Sequence, residues 1–361
     1  MAITPLPTLG DAPTTAPPVP ELLAAVDART RAMLDAEARR WAPVDPRLAQ
    51  LVDRLGDFVA AGGKRLRPAF CAWGAVGAGG ELADPALAAT CAALELLHAF
   101  ALIHDDVMDG AATRRGRPSV HETFARDHHR EQWLGEARRF GEGMGVLLGD
   151  LALVCAEREL VDVATPVRVL WHEMQIELTM GQSLDLVSTA ARDRDGRVAR
   201  SIAILKSGRY TVTRPLQLGA AVAGRLDELA APYAAIGDPL GEAFQLRDDL
   251  LGVFGDPART GKPVGSDLTE GKATPLAAIA ATRCRGREQA LLARIGAPDL
   301  RPDEVDALCT LLETSGARAA VEHRVRRLGR RALDAIADAP IPPAARAGLR
   351  DLARRTLWRE S

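Results

Sequence analysis

Asp105, Asp106 and Asp109 stand close together in Leu102-Ile103-His104-Asp105-Asp106-Val107-Met108-Asp109. Residues three and four apart share a helix face, so Asp109 would lie over both other aspartates. Like charges at that spacing cost a helix roughly 0.3 kcal/mol per pair. A divalent cation would offset the repulsion, and hard carboxylate oxygens suit Mg²⁺. A solvated acidic face is the alternative for such a cluster taken alone. A second pair, Asp248-Asp249, follows the stretch Phe244-Gln245-Leu246-Arg247. Carboxylates on two helices can converge across a bundle core to hold metal, and two such clusters would trap a diphosphate.

A diphosphate also needs cations from the chain itself. Gly62-Gly63-Lys64-Arg65-Leu66-Arg67-Pro68 sets three of them in a glycine-initiated turn before a helix. Glycines admit phosphate close to the backbone, and a helix N-terminus favours anions. Arg114-Arg115-Gly116-Arg117 follows the first acidic cluster, and arginine grips phosphate oxygens bidentately. Lys206 stands in Lys206-Ser207-Gly208, while Lys262 and Lys272 flank a glycine-containing segment after the second acidic pair. His98 precedes Asp105 by about two helical turns on the same face. Taken singly, each suits a solvated basic face, a helix end or a core histidine equally well.

The elements that must position these groups read as helices. Ala, Leu and Arg abound in the 361 residues and aromatics make up only 4%, which favours helix over a β-sandwich. Amphipathic order is expected from Pro20 onward. Helical patterns follow near 46–61, 68–79, 85–108, 141–163, 166–189, 197–208, 211–224, 228–254, 271–283, 286–295, 302–313, 316–338 and 342–358, with Gly, Pro and Asp between them. Pro215 is expected to kink or break its helix, and polar residues 125–141 read as a surface loop. The predicted fold is all-α, a single-domain helical bundle over 20–361 behind a disordered Pro-rich tail, 1–19. A net charge of −2 gives no global field for nucleic acid. The five cysteines form no CxxC pair, which argues against a disulfide framework or zinc site. No apolar run reaches the roughly 20 residues of a bilayer span, and the N-terminus lacks a signal-peptide pattern. A cytoplasmic protein is expected.

The motifs GGKRLRP, ELLHAFALIHDDVMD, RRGRP, GQSLD, KSG and FQLRDD occur in that order. Together they resemble the trans isoprenyl diphosphate synthase, or polyprenyl synthetase, family over about residues 45–350. The resemblance implies the isoprenoid synthase fold, a bundle around a deep apolar cavity, in a homodimer. It implies isopentenyl diphosphate and an allylic diphosphate as substrates, with Mg²⁺, up to three ions, as cofactor. By the same matching, Asp105, Asp109 and Asp248 would bind metal, supported by Asp106 and Asp249. Lys64, Arg67, His98 and Arg115 would hold isopentenyl diphosphate. Arg114, Lys206, Gln245, Lys262 and Lys272 would hold the allylic diphosphate, and Gln182 would lie near the developing cation.

Family matching also makes the helix before Asp105 a ruler for product length. Ala101, four residues before Asp105, leaves space, Phe100 adds an aromatic beside it, and Leu97 is a candidate deeper floor. The pattern is similar to short-chain enzymes making geranylgeranyl diphosphate, with farnesyl or longer products as alternatives. Two departures stand out. Gly252 occupies the place of the second motif's usual last aspartate, which puts full metal occupancy in doubt. Ser207 replaces a common Thr but keeps the hydroxyl. A class I terpene cyclase would need one diphosphate site, whereas two basic groups point to two. A regulatory subunit would have lost an aspartate motif or its arginines, and neither is missing.

Overall fold

The computed structural model describes residues 19–256 and 264–357. The expected tail lies outside them up to residue 18, and Val19 already opens helix α1 (Val19–Trp41). Helices α2 (Pro46–Ala60) and α3 (Leu66–Gly77) lead to α4 (Pro85–Asp109), which carries the first acidic cluster at its end. Asp84 caps α4 by accepting the Ala86 N–H at 2.8 Å, and Pro85 fills a first-turn position where a missing N–H costs nothing. Residues 89–97 of α4 are all buried. A helix apolar all round belongs in a core. This corrects the expectation about apolar runs. Within α4 an 18-residue window has mean hydropathy 1.9, long and apolar enough for a span, but 67% of that window is buried inside the fold. Gly110, with φ +61°, stops α4 in the left-handed conformation.

Two short strands, β1 (Thr113–Arg114) and β2 (Arg117–Pro118), then pair antiparallel. Helix α5 (Val120–Arg130) replaces the loop expected over 125–141, and α6 (Ala137–Glu159) begins before that range ends. The segment is polar, yet His121, Phe124 and His128 recur at helical spacing and are buried. The His128 ring meets Phe140 at 5.2 Å and Trp133 at 6.0 Å. A face built on histidines escapes a hydrophobicity count.

Helices α7 (Thr165–Ala190) and α8 (Gly196–Ile202) precede a π-helical segment (Ala203–Thr213), which runs straight into α9 (Arg214–Val222). Pro215 therefore breaks nothing. The Arg214 N–H reaches back five residues to the Arg209 carbonyl, and the proline falls in the first turn of α9. Helix α10 (Leu226–Phe254) carries the second acidic pair near its end. After it come α11 (Ser266–Glu270), α12 (Pro275–Arg283), α13 (Arg287–Leu292), α14 (Pro302–Thr314), α15 (Ala317–Asp338) and α16 (Pro343–Leu357). The helix expected over 271–283 is interrupted because Gly271 is left-handed (φ +78°), and helix resumes only at Pro275. Buried side chains from α1 through α16 form one contiguous apolar cluster.

Candidate active site

The first acidic cluster sits at the C-terminal end of α4, where the helix dipole already disfavours negative charge, and the second lies between one and two turns before the end of α10. They line one cavity of about 800 Å³. Lysines from other segments compensate them. The Lys206 ammonium donates to Asp105 Oδ1 at 2.9 Å and Asp185 Oδ2 at 2.6 Å. Lys272 Nζ lies 2.7 Å from Glu270, 3.3 Å from Asp109 and 3.9 Å from Asp267. Arg114 Nε donates to buried Asp106 at 2.7 Å, and its Nη2 reaches Asp105 at 3.4 Å. Gln182 Nε2 also donates to Asp105, at 3.2 Å.

These contacts set the protonation of the carboxylates. Burial pushes the Asp105 carboxyl up, but the charges of Lys206 and Lys272 overcome it and hold the group well below the usual range. Burial and the Asp105 charge leave Asp109 raised. Asp249 is pushed up to about 8, first by burial and then by the Asp267 charge, although Gln245 Nε2 donates to it at 2.8 Å. A divalent cation would relieve this accumulation of buried acid.

Close backbone approach fixes Lys206. A side-chain carbon on Gly181 of α7 would come within 2.3 Å of the Lys206 nitrogen, and one on Gly241 of α10 within 2.4 Å of the Gly208 carbonyl oxygen. Glycine alone permits both crossings.

A second basic group, from other residues, lines the same cavity. The Arg67 guanidinium stacks 4.0 Å from the Tyr210 ring centroid and donates to Thr211 Oγ1 at 2.9 Å. His98 Nδ1 and the Tyr210 hydroxyl are 2.8 Å apart. Burial, then the charges of Arg67 and Arg115, hold the His98 pKa well below its ordinary value, so the imidazole is neutral. Arg115 donates to the Gly62 carbonyl. Gly62 (φ +101°) and Arg65 (φ +47°) are both left-handed, which shapes the exposed turn that carries Lys64 to the cavity edge.

Of the residues singled out from sequence, Lys64, Arg67, His98, Ala101, Asp105, Arg114, Arg115, Gln182, Lys206, Gln245, Asp248, Asp249 and Lys272 line this cavity. Asp106 and Asp109 join it through Arg114 and Lys272. Lys262 lies outside the described residues. Phe100 is turned away from the cavity, with its ring 4.6 Å from that of His104, whose Nε2 meets the Val146 carbonyl of α6. Leu97 is fully buried and does not line the cavity. The rotation of about 100° per residue explains the split, since 98, 101, 102 and 105 share the open face. Asp185, Tyr210 and Asp267 escaped sequence reasoning. Asp185 is three residues after Gln182 and Tyr210 four after Lys206, each about one turn on, so helical spacing carried a signal for both.

Among the described residues no group of three acidic, histidine or cysteine side chains closes around a metal by itself. The donor set still fits Mg²⁺, which takes one or two carboxylates and completes its shell with water and substrate phosphate. Asp105, Asp109 and Asp248 are the oxygen donors available to it on the two helix ends.

The polyprenyl synthetase family model matches residues 49–312. The chain is 32% identical to geranylfarnesyl diphosphate synthase of Aeropyrum pernix over 293 residues, covering 78% of this chain and 86% of the relative. It is 33% identical to (2E,6E)-farnesyl diphosphate synthase of Mycobacterium tuberculosis over 311 residues, covering 83% and 80%. The crystal structure of geranylgeranyl pyrophosphate synthase from Corynebacterium glutamicum, complexed with isoprenyl diphosphate and magnesium, superposes with a TM-score of 0.89. That structure is 35% identical and covers 94% of this chain and 99% of its own.

Proposed function

The chain belongs to the polyprenyl synthetase family and is a short-chain prenyltransferase with the isoprenoid synthase fold, and from that premise we propose its substrates, product and residue roles. It condenses isopentenyl diphosphate head-to-tail with an allylic diphosphate, dimethylallyl, geranyl or farnesyl, and stops at geranylgeranyl diphosphate. The observation that carries this reading is a single cavity holding two facing acidic helix ends and two separate basic groups. One diphosphate would need only one such group.

Lys206, Arg114, Gln245 and Lys272 bind the allylic diphosphate. The charges of Lys206, Arg114 and Lys272 are already in place where negative charge develops as the allylic C–O bond breaks. Arg114, Lys206 and Lys272 exchange their carboxylate partners for phosphate oxygens as substrate enters. Lys64, Arg67, His98 and Arg115 hold isopentenyl diphosphate so that its double bond faces the cationic carbon. Tyr210 orients both the Arg67 guanidinium and the His98 ring. A new C–C bond forms, and the proton lost from the adduct passes to the released diphosphate. Gln182, held by Asp105, presents its amide dipole to the developing cation. Mg²⁺ on Asp105, Asp109 and Asp248, with Asp106 and Asp249 beside them, would supply Lewis-acid charge against the departing diphosphate.

Ala101 on the open face of α4 supports a cavity deep enough for a chain beyond farnesyl. The enzyme works as a homodimer. Leu147, Val154 and Val161 repeat every seven residues, as do Val169 and Ile176, then Met180 and Val187, and all are more than half exposed. That apolar stripe along α6, the turn after it and α7 suits a second copy of the chain. Unpaired cysteines suit a reducing cytoplasm. Incubation of the purified protein with each allylic starter, isopentenyl diphosphate and Mg²⁺, followed by chromatography of the products, tests the reading. Twenty-carbon product is expected. Asp105→Ala should abolish it, and near-normal turnover by that variant would overturn the assignment of the first acidic cluster.

A further inference from the structure

Helix α15 carries the run Arg326-Arg327-Leu328-Gly329-Arg330-Arg331 far from the acidic clusters in sequence. Leu328 and Gly329 are buried, and all four arginines are exposed. With each residue turning the helix by about 100°, the four fall within a sector of about 140°. Exposed His323 stands one turn earlier on the same face. The opposite face, through Val321, Val325, Ala332 and Ile336, is buried in the core.

The two remaining arginines of α15 are matched. Arg318 Nε donates to Glu322 at 3.1 Å, and Arg324 pairs with the buried carboxylate of Glu242 on α10. Among the described residues, Arg326, Arg327, Arg330 and Arg331 enter no ion pair, although Asp334 and Asp338 follow on the same helix. Like charges three and four apart destabilise a helix, so nothing inside the fold accounts for this face. The whole chain has a net charge of −2, so the surface beyond these four cations is negative. Helix α15 packs on α10, α12, α14 and α16. Pairing of two copies through α6 and α7 therefore leaves the basic face open.

We propose that this face of α15 docks the protein electrostatically on an anionic lipid surface. Two observations favour lipid over nucleic acid. From Arg326 to Arg331 the helix rises about 8 Å. That length matches only about two phosphates of a nucleic-acid strand, and the negative surface around it would repel the rest. A lipid leaflet instead responds to the summed charge of one face. The proposed product, a long hydrocarbon under a diphosphate, also leaves water most readily beside lipid, and the choice of lipid rests on that reading of the product.

Co-sedimentation of the full chain with vesicles of equimolar phosphatidylglycerol and phosphatidylcholine tests this without turnover. The protein should bind these vesicles at low salt and ignore vesicles of phosphatidylcholine alone. Raising KCl to about 0.5 M, where the Debye length is about 4 Å, should release it. Each arginine beside an anionic leaflet is worth about fivefold in partitioning, so changing all four to glutamine should weaken binding by about 10²–10³-fold. The melting temperature and the prenyl product should not change, since the four are exposed and distant from the cavity wall. Changing all four to lysine keeps the charge and should keep the binding. Parental binding by the glutamine variant, loss of binding in the lysine variant, or no binding by the parent would each overturn the proposal. Tighter binding of the parent to duplex DNA than to the anionic vesicles, in the same buffer, would replace lipid with nucleic acid. Absence of any prenyl product from the parent, beside salt-sensitive vesicle binding, would overturn the proposed function and leave the docking face standing.

Discussion

Lys206 ties the first acidic cluster to α7 through Asp105 and Asp185, so Lys206→Met is a sharp perturbation. Methionine keeps an unbranched chain and loses the ammonium. Its removal leaves Asp105 and Asp185, at 2.9 and 2.6 Å from the former Nζ, without that compensation. Breaking a buried pair from one side costs about 3–5 kcal/mol. With Lys206 22% exposed, solvent screening reduces this to about 2–4 kcal/mol. At roughly 2 °C per kcal/mol for a large chain, the melting temperature should fall by about 4–8 °C. The pH dependence has a definite sign. In the parent, the depressed Asp105 carboxyl contributes stability that is present above its ordinary value, near 4, and is lost as pH falls through the folded-state value. Without Lys206, only Lys272 and Arg114 are left to oppose burial at Asp105, so its carboxyl protonates more readily in the variant. The deficit should be largest at pH 8 and shrink toward pH 5. In steady-state assays kcat should drop by about 10²–10³-fold, the usual loss for one preorganised charge at a transition state. The KM for isopentenyl diphosphate should stay nearly constant, since the proposed grip on that substrate is the other basic group. Retention of more than about a tenth of parental kcat, or a deficit that grows toward acid pH, would refute the reasoning.

Ala101→Phe places a ring on the open face of α4 and should shorten the product, seen by chromatography; an unchanged profile would put the floor elsewhere. Val154→Glu plants a charge on the exposed stripe of α6 and should convert dimers to monomers in sedimentation velocity, and an unaltered sedimentation coefficient would exclude that face. Arg65→Met takes from buried Glu95 the cation that also pairs with Asp27 at 2.9 Å. Urea unfolding at pH 7 should show a loss of about 3 kcal/mol, and parental stability would mean that Glu95 finds another partner.

The gathering of acidic and basic residues in one place was legible because it depends on residue types at short spacings. Asp105, Asp106 and Asp109 crowd one face by helical arithmetic alone, and the ordered basic groups supply their counterpart. Pairings across the bundle were not legible. Nothing near Lys206 in the chain says that it bridges α4 and α7, since the bridge depends on backbones meeting at Gly181 and at Gly208 and Gly241. Phe100 and Ala101 are neighbours in sequence, yet their side chains point to different places, and only the roll of α4 decides which meets the cavity. The polar stretch 125–141 misled because a buried histidine such as His128 carries no hydrophobic signature. The departure at Gly252 was visible as a missing aspartate, while its neighbour in space, Asp267, stands 15 residues away in the chain.

The π-helical segment Ala203–Thr213 has a consequence for how this chain can change length. Each residue of an α-helix advances the face by about 100°. Deleting one residue to regularise the segment would rotate one flank against the other by about that angle. Lys206 would leave the cavity wall, or Tyr210 would leave Arg67 and His98, because both groups are carried on the same stretch. The wide turn thus acts as a phase adjuster between the two basic groups of the cavity. Single-residue insertions and deletions here should be purged, while substitutions that preserve the count are tolerated.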